Sequence, residues 1–126
     1  MPRTVIIPAL DEGTTPRILG TLVDDREVPL AASVLEALTL TLYSLSDPMV
    51  PIINGRNKQN VLNTNGVTVD ANGAFVWEIE AADLVILNDA LTVEKRLALF
   101  EWTWALGQKS GKQEIEFRVK NLVKVP

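Results

Sequence analysis

Val93-Glu94-Lys95-Arg96-Leu97-Ala98-Leu99-Phe100-Glu101-Trp102-Thr103-Trp104-Ala105 is the longest strand-like run in the chain. Ala98, Phe100, Trp102 and Trp104 share one parity, and Leu97, Leu99, Glu101 and Thr103 share the other. A period of two with aromatic residues on one side predicts a strand whose one face is buried. Gly107-Gln108-Lys109-Ser110-Gly111-Lys112 then reads as a flexible hairpin loop. After it, Ile115, Phe117 and Val119 alternate with Glu114, Glu116, Arg118 and Lys120. The two runs predict an antiparallel hairpin with apolar residues inward and charges outward.

The same pattern recurs upstream. Val67-Thr68-Val69 and the alternation of Phe75, Trp77 and Ile79 flank Asp70-Ala71-Asn72-Gly73, which predicts a second hairpin. Ala37 to Leu45 alternates Leu38, Leu40 and Leu42 with Thr39, Thr41 and Tyr43, a strand in preference to a helix because of the β-branched threonines. Arg17 to Val23 reads as an opening strand, Met49 to Ile53 as a short one, and Ala81 to Val85 as one helical turn. Asn54-Gly55 suits a turn at positive φ. About seven short strands with frequent turns predict an all-β antiparallel sandwich over residues 17–126. Residues 1–16, broken by Pro2, Pro8 and Pro16, read as an extended amino-terminal arm. Within it, Thr4 to Ile7 is expected to form a short strand, paired at a sheet edge or with another chain.

The 126 residues fit one domain. With no Cys and no His, disulfides, thiolate zinc sites and Ser-His-Asp catalysis are excluded. Twelve basic against 16 acidic residues leaves −4, which argues against broad capture of nucleic acid or anionic membrane. No apolar run is long enough to span a bilayer, and residues 1–8 lack the apolar core of a signal peptide.

Candidate chemistry is sparse. Asp70-Ala71-Asn72-Gly73 resembles the start of a calcium loop but lacks the further ligands, so turn chemistry is the better reading. Glu78 with Glu80, and Glu114 with Glu116, have the spacing of a solvated sheet face rather than of a carboxylate pair for glycoside hydrolysis. No enzyme, metal or cofactor is expected. Trp102 and Trp104 are expected in the core, with a sugar-stacking platform as the alternative. Arg56 and Lys58, in a glycine-containing loop, are candidate contact residues at a loop tip.

The order of motifs resembles small immunoglobulin-like virion proteins of tailed bacteriophages. The stretches that carry it are Leu38-Thr39-Leu40-Thr41-Leu42-Tyr43, Ile52-Ile53-Asn54-Gly55, Gln59-Asn60-Val61-Leu62-Asn63, Gly66-Val67-Thr68-Val69-Asp70, Ala82-Asp83, Phe100-Glu101-Trp102-Thr103-Trp104 and Glu114 to Leu122. Their order is also similar to the amino-terminal Ig-like domain of phage baseplate upper proteins. That family often has a histidine where this chain reads Glu94-Lys95-Arg96-Leu97, so no residue role carries over there. The resemblance implies an Ig-like sandwich without catalytic or cofactor sites. It implies a virion protein made in the host bacterial cytoplasm, present in many copies and docked on capsid, neck or tail subunits. Head decoration or the head–tail neck is the favoured place; a tail or baseplate module, or a carbohydrate-binding module using Trp102 or Trp104, is the alternative. The expected partner-binding residues are Val5, Ile6 and Ile7 of the arm, Arg56 and Lys58, and Leu122, Val123 and Val125 at the other end.

Overall fold

A computed structural model describes residues 3–6, 8–45, 52–86 and 92–121. Among these residues the protein is all-β: nine strands in two sheets, and one 3₁₀ turn at Ala81–Leu84. The strands are β1 (Arg3–Val5), β2 (Leu10–Asp11), β3 (Arg17–Thr21), β4 (Ala37–Ser44), β5 (Gln59–Asn60), β6 (Val67–Val69), β7 (Ala74–Glu78), β8 (Val93–Trp104) and β9 (Lys109–Lys120). The larger sheet runs β1-β9-β8-β4-β5, with β2 also on β9; the smaller runs β3-β7-β6. β4, β8 and β9 of one sheet face β3, β7 and β6 of the other, which makes a β-sandwich.

The aromatic faces form the core. Leu38, Leu40 and Leu42 of β4, Ala98 and Phe100 of β8, and Ile115, Phe117 and Val119 of β9 meet Phe75 and Trp77 of β7. Trp77 joins the sheets, edge-on to Phe100 at 5.5 Å and to Phe117 at 6.0 Å. Phe75 packs 5.3 Å from Phe100. Edge-to-face geometry of this kind adds about 0.5–1.5 kcal/mol per pair beyond area burial.

The 67–80 hairpin forms as its turn sequence predicts. Val69 pairs with Phe75, and Asp70 Oδ1 accepts the amides of Asn72 and Ala74. Gly73 sits at φ +81, and a Cβ there would lie 2.9 Å from the Leu30 backbone, so glycine is required twice over.

Two local expectations change. The segment from Lys109 to Lys112 is not loop but the start of β9, paired residue for residue with β8 from Trp104↔Lys109 to Val93↔Lys120. Ala105, Leu106 and Gly107 take positive φ and turn the chain within four residues. The sheet is also not wholly antiparallel. β1 and β2 both run parallel to β9, with Thr4 opposite Ile115 and Leu10 opposite Val119. The expected short strand Met49 to Ile53 falls mostly outside the described residues, but Ile53 is buried and bonds Leu42 of β4.

Gly111 explains how the β8–β9 ladder reaches its far end. It faces Trp102 across the ladder, and a Cβ there would fall 2.6 Å from the indole. The indole thus covers the glycine and donates its N–H to the Val23 carbonyl at 3.2 Å. Gly111→Ala is expected to destabilise by about 1–3 kcal/mol through overpacking, measured by denaturant unfolding.

Candidate interaction site

Arg56, Trp102 and Trp104, three of the candidate site residues, are turned inward. Arg56 follows the Asn54-Gly55 turn, whose residues sit at φ +55 and +65. That turn is sewn to β4 through the Leu42 amide and carbonyl, and it aims the guanidinium into the sandwich. Arg56 is fully buried. It pairs bidentately with Asp83, at 2.6 Å from Nε and 3.0 Å from Nη2. Its remaining N–H groups reach Glu80 at 2.8 Å, Gln59 at 2.9 Å and the Asn65 carbonyl at 3.1 Å. All five donors of the guanidinium fork are used. The expectation of Arg56 as a surface contact is therefore corrected: a loop position became a core position because a buried carboxylate waits for it. Its neighbour Lys58 is exposed, as expected of a loop tip.

A second buried arginine approaches the same 3₁₀ turn. Arg96 of β8 donates to the carbonyls of Asp83 and Val85 and to Glu94 Oε1 at 2.6 Å. Burial pushes the Arg96 guanidinium below its ordinary pKa, while the bonded Glu94 and the charge of Asp83 pull it back up. Two cations and two anions, Arg56 and Arg96 with Asp83 and Glu94, thus balance within the core. Asp83 also caps its own turn by accepting the Glu80 amide. The network ties the β7–β8 connection to β4 and β8.

The tryptophans are also inward. Trp102 and Trp104 are 4% and 8% exposed, so neither offers a ring face for a sugar, which corrects the stacking-platform alternative.

The arm lies against its own domain. Ile6 donates its amide to Glu116 and, with Leu10, packs on the core. The expected strand donation by the arm to a neighbour is thus already used within the chain. Val5 remains 47% exposed on the outer edge. Ile7, Leu122, Val123 and Val125 lie outside the described residues.

An open flank, missed in the sequence, lies between the edges β1 and β3. The Pro16 carbonyl accepts the Ile79 amide and the Leu22 amide donates to Gly73. Antiparallel pairing alternates, so Ile18 and Gly20 bond β7 while the backbone groups of Arg17, Leu19 and Thr21 point away from it. Leu19 is 69% exposed. Between the two edges runs a cleft of about 200 Å³, floored by Ile6, Ile18, Phe75 and Ile115 and rimmed by Thr4 and Gln113. β3, with five residues, is the longest outer strand among those described; β1 and β6 have three and β5 has two.

No protein-family model matches the chain, and neither a curated protein nor a solved structure matches it.

Proposed function

We propose that the chain is a non-enzymatic structural subunit of a tailed-phage particle, an accessory protein that docks on other virion subunits at the head surface or the head–tail neck. The observation that carries this reading is the open flank: two sheet edges with Val5 and Leu19 exposed beside an apolar cleft. Outward backbone groups with exposed apolar side chains are what one chain offers another. The resemblance of the motif order to Ig-like virion proteins supplies the setting, with capsid, neck or tail subunits as partners. The tip residue Leu106, 88% exposed, offers a second contact at the far end of the long hairpin. Many copies on a symmetric particle allow weak single contacts to suffice.

Mass spectrometry of purified virions, scaled to the major capsid protein, tests it. A shell-like copy number is expected for decoration, and a ring-like number for a neck or tail position. Absence from washed particles overturns the reading.

A further inference from the structure

We propose that β3 pairs antiparallel with β3 of a second copy of this chain, about a two-fold axis at Leu19. The groups that point away from β7, those of Arg17, Leu19 and Thr21, are spaced two residues apart and centred on Leu19. Paired with themselves they give Arg17 opposite Thr21 of the copy, Leu19 opposite Leu19, and Thr21 opposite Arg17. Every one of these is a hydrogen-bonded pair, so the register is self-complementary.

The side chains agree with that register. β7 places Val76 beside Leu19 and Glu78 beside Arg17. The outer face of the joined sheet then carries an unbroken apolar row, Val76-Leu19-Leu19-Val76. The rows on either side each hold one Arg17–Glu78 ion pair, 3.2 Å long, facing Thr21 and Ala74 of the copy. No like charges meet, and each arginine faces a threonine. On the inner face, Ile18 of one copy stands opposite Gly20 of the other. Gly20 adds no side chain there because the Phe75 ring lies over it, 2.3 Å from where a Cβ would stand, so that isoleucine would rest against the Phe75 ring at the edge of the cleft that Phe75 and Ile115 line. β3 has no proline, no lysine and no bulge, and its one charged side chain, Arg17, is paired with Glu78.

The pairing goes beyond the docking reading and is measured on the purified chain, so either can fail alone. Sedimentation equilibrium over a concentration series is expected to approach twice the mass of the 13.9 kDa chain. Leu19→Lys, on an exposed side chain, is expected to lose the dimer while keeping the melting temperature of the dilute protein. Thr21→Pro removes one outward N–H without touching the β7 ladder and is expected to do the same. In the dimer the Leu19 amide is expected to gain protection from hydrogen exchange. A chain that stays monomeric up to about 1 mM, where an association of only about −4 kcal/mol is visible, overturns the proposal and leaves the edge to a strand of a different protein. A dimer that survives both variants, or leaves the Leu19 amide unprotected, overturns it equally.

Discussion

Asp83→Ala is expected to cost about 3–5 kcal/mol of unfolding free energy, because it removes one partner from a buried ion pair and leaves the other charge in the core. Arg56 would lose both arms of its bidentate contact, and the Glu80 amide would lose its acceptor. Arg96 would lose a compensating charge at the same turn. For a domain stable by about 5–15 kcal/mol this is a large share of the total. At about 4 °C per kcal/mol, melting is expected to fall by roughly 12–20 °C. The comparison is Arg17→Ala, which breaks an ion pair of similar length whose side chains are both 64% exposed. That change is expected to cost about 1 kcal/mol or less. Equal losses in the two variants, measured by urea unfolding, would refute the role given to the buried network. The double replacement Arg56→Met with Asp83→Leu is expected to recover much of the loss, since it leaves neither of the two charges stranded.

Trp77→Ala is expected to cost a similar amount, about 3–5 kcal/mol, by opening a cavity where the sheets meet. The indole is fully buried and supplies the edge-on contacts to Phe100 and Phe117. Its Nε1 has no acceptor among the described residues. Trp77→Phe keeps an aromatic ring between the sheets and removes that buried donor. It is therefore expected to cost less than half as much as the alanine change. Unfolding curves of the two variants side by side decide this: a phenylalanine variant as weak as the alanine one would mean that the full volume of the indole, not merely an aromatic ring, is needed between the sheets.

The fold was legible wherever alternation was strict. The β4 and β8 stretches show which residues face inward, and the Asp70–Gly73 turn sets the register of its hairpin. The network was legible only in part. Glu94 and Arg96 share the parity of Ala98 and Phe100, so extending that face backward places two charges in the core. What answers them is not in the local pattern, because Asp83 lies 27 positions from Arg56. Arg56 looks like a loop cation from composition alone. Its burial follows from a tertiary partner that no periodicity encodes. The open flank was hidden for a related reason. Leu19 reads as one more apolar strand residue until the sheet order leaves β3 without an outer neighbour among the described residues.

The pairing of β1 with β9 sets an order of events during synthesis. Arg3 must find Glu114, 111 positions later. At roughly 5–20 residues per second, the first strand leaves the ribosome about 6–22 s before its partner is made. The β6–β7 hairpin closes locally as soon as it emerges, but the larger sheet waits for the last hairpin. Until then Ile6 and Leu10 have no surface to cover, and the nascent chain carries them exposed to whatever chaperones attend it.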